Sequence, residues 1–442
     1  MRLTLSFLLA SCFLWGQDIH HVLTTGQSLS ISSTGGTPTL STTQTLGNLM
    51  LSGSSFVDLV ESTSEAPASG LGNNANVLGS GRIYLVTKHG IGGQAYTGLK
   101  GPCDTTTGAC SSGGTSSYRA AITAAITASA TAAGLSRAYY LDAVVVTHGE
   151  SDYANPINAT AAQYAANLVE WQQHFTADLN GRSLHTGEVP LIVDQMDSWT
   201  STSPSWTTPT TGGQGPTFPV GVPIGQWHAA RDNPTKIYLC TQKYMLPHWS
   251  DGIHLTNVSA RWLGAMQGRC VDKLIRQGLP WRPVAPGRIS IVGQVVTIDY
   301  HVPAGVLTLD TTNVTMSPAG NYGFEWYEEG GSGTAISSVV VTETNRVRIT
   351  LTSVPTGTNQ RIRYAYTGIR YNQGGPTTGP RGNLRDTETA TSIDGDPLWD
   401  WGISFDEPVT FEWLASELPG AVLPSKVAFG GATLAGGKVV LQ

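Results

Sequence analysis

Charged side chains are scarce in this sequence. Asp, Glu, Lys and Arg make up 13% of its 442 residues, whereas an ordinary soluble domain has roughly 25%. The formal net charge is −6 and no cluster of Lys and Arg occurs, so we expect no nucleic acid partner. Thr, Ser and Gly replace the charges, with 52 glycines. This composition is typical of an exported, loop-rich protein that contains β-structure.

Long apolar runs are missing after the first residues. The chain begins MRLTLSFLLASCFLWGQD, in which one Arg precedes a short apolar run. Such a run is too short to span a membrane and predicts a secretory signal peptide over residues 1–16. The stretch Leu9–Cys12 resembles a bacterial lipoprotein cleavage box, but we favour simple secretion over lipid attachment at Cys12. We therefore expect a secreted, cell-surface or periplasmic protein with no transmembrane segment.

Cysteines are few, five in all. Cys12 belongs to the leader, and the four that remain are an even number, which in an exported chain predicts two disulfides. We favour Cys103–Cys110, which closes a small loop, and Cys240–Cys270 among the possible pairings. The spacing of cysteines and histidines matches no strong zinc or iron motif, so we expect no metal and no cofactor.

Residues 17–280 alternate between strand-like and helical runs. The strand-like runs include IHHVLTTG, GRIYLVTKHG, LDAVVVTHG, VPLIVDQM and KIYLCTQK. Helical runs begin near residues 116, 160 and 256; the second ends at Gly181, and the third begins with Thr256 or Asn257 as its cap. This alternation predicts a parallel sheet with helices on both faces, which is a three-layer α/β/α sandwich.

A Pro-rich stretch at 281–288 predicts a linker, and the pattern changes beyond it. In residues 289–442 the runs ISIVGQVVTIDYHV, ISSVVVTETNRVRITLTSV and RIRYAYTGI alternate apolar and polar side chains. Such alternation predicts a C-terminal β-sandwich. Two weaker strands are expected near VTFEWL and KVVLQ. This region either packs on the α/β unit as a structural addition or binds a polymer.

Four loops of the α/β unit have unusual polar content. They are GQS at 26–28, HGIGGQAYTG at 89–98, THGESD at 147–152 and SDGIHLTN at 250–257. In open α/β sheets, binding sites lie beyond the carboxyl ends of the strands. Any one of these loops alone reads as an ordinary turn, but four in chain order predict a site.

Ser28 is the candidate nucleophile of that site. A serine hydroxyl needs a base, and His254 is the best candidate. Asp251, three residues before it, can orient its imidazole and fix the tautomer. The simpler alternative is that Asp251 and His254 only cap the helix that follows.

Acyl transfer also requires hydrogen-bond donors for the oxyanion of its intermediate. The glycine pair Gly92 and Gly93 can supply a backbone N–H, and the N–H of Ser28 can supply a second. We expect a third donor from the THGESD loop, through His148 or Ser151.

Together these segments resemble the SGNH hydrolases, also called the GDSL-like esterase superfamily, and more narrowly their sialate O-acetylesterase-like, carbohydrate-esterase branch. GQS matches the nucleophile block of that family, GIGGQ its glycine block and GESD its third block. Asp251-Gly252-Ile253-His254 matches its final D-x-x-H block. The resemblance covers residues 18–278.

The resemblance implies that Ser28 is the nucleophile, His254 the base and Asp251 its orienter, with Gly93 and the third block at the oxyanion hole. Many relatives have Gln before GESD, where this chain has His148. Supporting roles are expected for Gln27, Gly92, Gly149, Glu150, Ser151 and Asp152. Glu150 and Asp152 are expected to form hydrogen bonds with the backbones of the loops.

The function that the resemblance implies is ester hydrolysis through an acyl-serine, commonly the removal of O-acetyl groups from sugars. We therefore expect a secreted serine esterase whose partner is an acetylated carbohydrate or another ester. Two alternatives stay open: a broader aryl, feruloyl or polyester esterase, and a non-catalytic carbohydrate-binding surface or virion protein. Trp199, Trp206 and Trp227 are either platforms for sugar rings or core anchors. The oligomeric state does not follow from the sequence.

Overall fold

The computed structural model describes residues 17–32, 39–79, 81–102, 116–154, 160–197, 221–317, 320–331, 333–367 and 373–413. Several sequence predictions lie outside the described residues: the signal peptide with Cys12, the Cys103–Cys110 pair, and the strand near KVVLQ.

A seven-stranded sheet forms the centre of the first part of the chain. Its strands are β1 (Ile19–Gly26), β2 (Leu49–Ser52), β3 (Ser55–Asp58), β4 (Ile83–Lys88), β5 (Tyr139–Thr147), β6 (Leu191–Gln195) and β7 (Ile237–Gln242). They are arranged in the order β3-β2-β4-β1-β5-β6-β7. The pairings are parallel except that of β3 with β2 at the edge. The predicted parallel sheet is confirmed, whereas the β2–β3 hairpin was not predicted.

Helices alternate with these strands. They are α1 (Ser28–Ile31), α2 (Pro67–Leu78), α3 (Ser116–Gly134), α4 (Glu150–Ala154), α5 (Ala161–Asn180), α6 (Gly221–Asp232) and α7 (Asn257–Val271). The side chains of Thr160 and Thr256 cap α5 and α7 by accepting backbone N–H bonds. Within the described residues, no helix has the length and apolarity that a membrane crossing requires.

The helices cover both faces of the sheet. Val22 on one face of β1 packs in a cluster with residues of α2 and α7, and Leu23 on the other face packs with α3, α5 and α6. Successive residues of a strand point to opposite faces, so β1 is buried on both sides. Helix α2 approaches α7 so closely that a Cβ on Gly264 would lie 2.0 Å from the Pro67 carbonyl oxygen. This packing explains why PASGLGNNANVL forms a helix despite its low helix propensity.

Strand β1 lies at the point where the strand order reverses, between β4 and β5. Crevices at such points are the usual sites of α/β sheets. Gly26 ends β1 with a φ of 135°, and a Cβ there would lie 2.0 Å from the Thr147 carbonyl oxygen of β5. Both the conformation and the close approach require glycine. The chain leaves the sheet at this glycine and places Ser28 at its carboxyl edge.

The C-terminal region is built from antiparallel strands. They are β8 (Ala285–Val292), β9 (Val295–His301), β10 (Thr308–Leu309), β11 (Phe324–Glu329), β12 (Ile336–Glu343), β13 (Arg346–Leu351), β14 (Thr358–Tyr364), β15 (Leu384–Arg385) and β16 (Phe405–Pro408). These strands form a four-stranded sheet of order β12-β13-β9-β8, a three-stranded sheet of order β11-β14-β16 and the short pair β10-β15. The predicted C-terminal β-sandwich is confirmed.

Two details of this region differ from the sequence prediction. Strand β8 begins at Ala285, so the last four residues of the predicted linker at 281–288 already belong to a strand that pairs with β9. Near the strand expected at VTFEWL, the named strand is Phe405–Pro408, which pairs with β14, and within VTFEWL itself Glu412 forms an antiparallel bridge with Arg288 of β8.

The C-terminal region packs on the α/β unit through buried polar contacts. The Gln195 amide exchanges two hydrogen bonds with the Ser404 backbone, at 2.7 and 2.9 Å. The Tyr244 hydroxyl donates to the Gly402 carbonyl at 2.6 Å. These buried polar groups satisfy one another's hydrogen bonds, so the two regions pack against each other and are not independent units joined by a linker.

The predicted Cys240–Cys270 disulfide is wrong. Both cysteines are buried and free, in the cluster between the sheet and α2 and α7. The Cys240 thiol donates to the Met266 carbonyl at 3.4 Å. Burial, with Cys240 beside it, holds the pKa of the Cys270 thiol well above its usual value, and the thiol form is unreactive. The pair therefore contributes apolar packing to the core, not a cross-link.

Candidate active site

Ser28 and His254 meet at the carboxyl edge of the sheet. Ser28 is the first residue of α1, and its Oγ lies 2.8 Å from His254 Nε2, although 226 positions separate the two in the chain. The hydroxyl can donate its proton directly to this nitrogen. The contact has the geometry of a nucleophile and its base.

Asp251 binds the other side of the His254 imidazole. Its Oδ2 lies 2.7 Å from His254 Nδ1, and its Oδ1 accepts the backbone N–H groups of Ile253 and His254, each at 2.9 Å. Partial burial acts to raise the pKa of Asp251, but these hydrogen bonds outweigh it and lower that pKa. The ionised carboxylate accepts a hydrogen bond from the Nδ1–H group, so Nε2 is left to accept from Ser28.

Residues 248–254, which we name the His254 loop, form a closed turn. The Trp249 N–H donates to the His254 carbonyl at 2.6 Å, and the Gly252 N–H donates to the Trp249 carbonyl at 2.9 Å. Gly252 has a φ of 72°, a conformation that glycine adopts without strain. The helix that follows is capped by Thr256, not by Asp251 or His254. Both side chains are thus available to Ser28.

The glycine block lies against the nucleophile. A Cβ on Gly92 would stand 3.8 Å from the Ser28 Cβ, and Gly93 has a φ of 69° with open space around it. In the part of the chain that the structure describes, the N–H groups of Ser28 and Gly93 donate to no acceptor. Backbone donors without partners at this corner suit the expected oxyanion hole.

His148 is not an oxyanion donor, and that prediction is wrong. Its side chain is fully buried. Nε2 donates to the Gln94 carbonyl at 3.0 Å, and Nδ1 accepts from the Tyr164 hydroxyl at 2.8 Å. Since both ring nitrogens are occupied, His148 binds the glycine block to the third block and has no donor left for substrate.

Other residues with predicted supporting roles also join the loops. Gln27 Oε1 accepts the Ser151 N–H at 3.0 Å, which links the nucleophile block to α4. Asp152 Oδ2 accepts the Tyr96 N–H at 2.6 Å, which links the third block to the glycine block. Gly149 has a φ of 140°, and a Cβ there would collide with a side chain of α6. These contacts hold three of the four loops together around Ser28.

Glu150 belongs to a buried ion cluster that the sequence analysis missed. The Lys243 Nζ lies 2.7 Å from Glu150 Oε1 and 3.0 Å from Asp194 Oδ1. Asp194 Oδ2 also accepts from the Thr147 hydroxyl at 2.6 Å and the Gln267 amide at 3.1 Å. Burial acts to lower the pKa of Lys243, but the two carboxylates outweigh it and raise that pKa. A Lys at the end of the apolar run KIYLCTQK was the available signal, because a buried Lys must be paired.

A second buried charge pair, also missed, lies at the base of the His254 loop. His248 Nδ1 donates to the Leu246 carbonyl at 2.8 Å, and Nε2 faces Asp197 Oδ1 at 3.2 Å. Both side chains are almost completely buried, with 3% and 2% exposed. Because Nδ1 already carries a hydrogen, Nε2 faces the carboxylate favourably only when it is protonated too. Burial acts to lower the pKa of His248, but the charge of Asp197 and the hydrogen bonds to Asp197 and to the Leu246 carbonyl together outweigh it and raise that pKa.

We expect His248 to make the stability of the protein depend on pH. A group whose pKa is raised on folding stabilises the folded state below its unfolded pKa, about 6.5 for His, and loses this effect as pH rises through the folded value. His248→Gln keeps an amide donor for Asp197 but does not titrate. The excess unfolding free energy of the wild type over His248→Gln should therefore shrink from pH 6 upwards, measured by urea denaturation at a series of pH values. A constant difference would contradict a protonated His248.

Trp227 is a core anchor. Its indole is buried, donates to Glu407 Oε1 at 2.7 Å and packs edge-on against Trp413 with ring centroids 5.0 Å apart. It therefore offers no platform for a sugar, while Trp199 and Trp206 lie outside the described residues. Among the residues that the structure describes, no group of three or more His, Cys, Asp or Glu side chains is placed to hold a metal ion.

No protein-family model matches the sequence, and no curated protein matches it. Several solved structures are similar. A carbohydrate acetylesterase from Xanthomonas citri is 14% identical, and the match covers 88% of this chain and 80% of that chain with a TM-score of 0.52. NanS is 13% identical over 59% of this chain and 99% of that one, with a TM-score of 0.40. A protein from Arabidopsis thaliana is 16% identical over 57% and 97%, with a TM-score of 0.39.

The first of these matches is the informative one, because it is long enough to include both the α/β unit and much of the C-terminal region. Identity at this level shows the fold alone. The chain therefore shares the fold of a bacterial carbohydrate acetylesterase, which is the α/β fold that the resemblance to the SGNH hydrolases implied.

Proposed function

We propose that this protein is a secreted serine esterase of the SGNH type that removes O-acetyl groups from carbohydrates. The observation that carries the proposal is the chain of contacts from Ser28 Oγ to His254 Nε2 at 2.8 Å and from His254 Nδ1 to Asp251 at 2.7 Å. The fold shared with the Xanthomonas citri carbohydrate acetylesterase supports the choice of an acetyl ester. Secretion is proposed from residues 1–16.

The geometry suits a two-step acyl transfer. Ser28 Oγ attacks the ester carbonyl carbon while His254 Nε2 takes its proton, and Asp251 stabilises the resulting imidazolium. The N–H groups of Ser28 and Gly93 donate hydrogen bonds to the negatively charged oxygen that forms from the ester carbonyl. His254 then gives the proton to the departing sugar oxygen, which leaves an acyl-Ser28. A water that His254 deprotonates releases the carboxylate and restores Ser28.

Hydrolysis of a chromogenic acetate ester by wild type and His254→Ala tests this function. Without its base the serine reacts slowly, so kcat should fall roughly 10²- to 10⁴-fold, the usual contribution of general acid–base catalysis. His174→Ala is the matched control: this histidine lies on α5 beside Glu170 and its loss should leave kcat unchanged. Equal rates for His254→Ala and wild type would refute the assigned base.

A substrate panel on the same preparation tests the substrate class. It compares the release of acetate from acetylated xylan or acetylated sialic acid with the hydrolysis of longer acyl and feruloyl esters. A preference for acetate is the expected result. A preference for long or aromatic acyl groups would favour the broader esterase, and no hydrolysis of any ester would favour a binding protein.

A further inference from the structure

Two glycines of the C-terminal region touch the His254 loop and its base. The Gly374 N–H donates to the Gly252 carbonyl at 2.7 Å. The Gly375 N–H donates to Asp197 Oδ2 at 2.8 Å, and Oδ1 of the same carboxylate pairs with His248 at 3.2 Å. The C-terminal region is thereby connected to the interior of the turn that carries Asp251, at Gly252, and through Asp197 to its first residue, His248.

Neither glycine can be replaced freely. A Cβ on Gly374 would lie 2.6 Å from His248 Nε2 and 2.8 Å from Asp197 Oδ2. Gly375 has a φ of 98°, which residues with a side chain rarely adopt. The pair allows the backbone to approach the buried His248–Asp197 contact closely enough for its N–H groups to bond there.

The segment that carries these glycines is itself anchored in the C-terminal region. Arg381 donates to the carbonyl oxygens of Thr315 and Gly379, at 2.7 and 2.8 Å. The Thr378 hydroxyl donates to the Gly374 carbonyl at 2.8 Å. The segment that carries Gly374 is thus bonded to the β-region independently of its contacts with the His254 loop.

The His254 loop needs such an anchor because much of its outer side faces solvent. Trp249 is 42% exposed, and the Asp251 side chain is 40% exposed. Hydrogen bonds within the turn fix its shape, but they do not fix where the turn stands relative to Ser28. Its inner contacts with Asp197 and Gly374 help to fix that position, together with Ile253 and Leu255, which pack in the hydrophobic core.

We propose that Gly374, Gly375, Asp197 and His248 form a clasp through which the C-terminal β-region positions His254 against Ser28. The clasp residues are positioning residues, because they bond to the loop backbone, to His248 and to one another. The β-region is on this view a working part of the active site. The catalytic consequence rests on the proposed function, whereas the structural part does not.

Gly374→Ala tests the clasp, with Gly287→Ala as matched control. Gly287 lies in the same region, and a Cβ there meets only the Asp299 carbonyl oxygen at 3.4 Å. Hydrogen–deuterium exchange measures the loop directly. In Gly374→Ala the amides of residues 248–254 should exchange at least tenfold faster than in wild type, while those of β1 and β6 keep wild-type protection. Gly287→Ala should match wild type throughout.

Steady-state kinetics on an acetate ester give the catalytic readout. A base displaced by about 1 Å costs roughly 10²-fold in rate, so kcat of Gly374→Ala should fall by roughly 10- to 100-fold with KM unchanged. Unchanged loop exchange, or faster exchange with unchanged kcat, would overturn the proposal. If the wild type hydrolyses no ester, the proposed function fails, and the exchange result still decides whether the clasp holds the loop.

Asp197→Asn provides a second variant in case Gly374→Ala does not fold. It keeps the size of the side chain and removes the charge that faces His248. The same selective rise in exchange at residues 248–254 is expected, and protection equal to that of wild type would overturn the clasp.

Discussion

Ser28→Ala is expected to abolish ester hydrolysis, with kcat lowered by roughly 10⁴-fold or more, because removal of a triad nucleophile leaves only the oxyanion donors and substrate binding. His254 and Asp251 stay in place in this variant, since the Asp251 carboxylate holds the imidazole independently of Ser28. The effect should therefore fall on kcat, with the fold intact. Initial rates on a chromogenic acetate ester and a thermal unfolding curve measure the two separately.

A fluorophosphonate probe provides an independent check on the nucleophile. The reagent forms a covalent bond with an activated serine, and mass spectrometry of the digested protein should locate it on the peptide that contains Ser28. Ser32→Ala is the matched control, because Ser32 follows α1 and bonds Ser28 through its backbone N–H, which alanine retains. Labelling on another serine, or full activity in Ser28→Ala, would show that the nucleophile has been misassigned.

The contacts among Ser28, His254 and Asp251 could be anticipated from sequence because these residues lie in short, recognisable loops. Ser28 follows a buried strand, and Asp251 and His254 share one turn, so residue type and spacing identify all three. The α/β order of the fold was also readable, since strands such as LDAVVVTHG are apolar throughout. Helix α2 could not be predicted from the sequence, because its glycines favour a loop in isolation. The segment is helical because it packs against α7.

The errors and omissions have a common physical cause, which is that buried polar partners come from distant parts of the chain. His148 was expected to face substrate, but Tyr164 and Gln94 occupy its two nitrogens. Lys243 meets Asp194 from 49 positions away, so the Lys at the end of its apolar run indicates a buried pair but does not identify the partner. The predicted Cys240–Cys270 bond followed from an even cysteine count, which carries no information about their place in the core.

Lys243→Met is expected to lower the free energy of unfolding by about 3–5 kcal/mol, the usual cost of breaking a buried ion pair. Methionine fills a similar volume, but it leaves Glu150 and Asp194 buried without their cation. Total stability of a domain is about 5–15 kcal/mol, so the loss is a large share of it. Urea denaturation of the two proteins measures the difference.

Lys236→Met is the matched control for this prediction. Lys236 Nζ lies 2.7 Å from Glu188, but these side chains are 39% and 46% exposed. An exposed pair of this kind contributes about 0–1 kcal/mol, so the variant should unfold close to wild type. A similar small loss for Lys243→Met would contradict the importance of the buried cluster.

The pH dependence of the Lys243→Met deficit separates charge from packing. Burial acts to raise the pKa of Asp194, and Lys243 opposes that effect in the wild type. Without the cation, the buried Asp194 carboxylate takes up a proton more readily in the folded state than in the unfolded one. Proton uptake on folding stabilises the variant at low pH, and this gain is lost as pH rises. The deficit should therefore shrink as pH falls from 7 towards 4, whereas a deficit caused by a poorly packed methionine would stay constant.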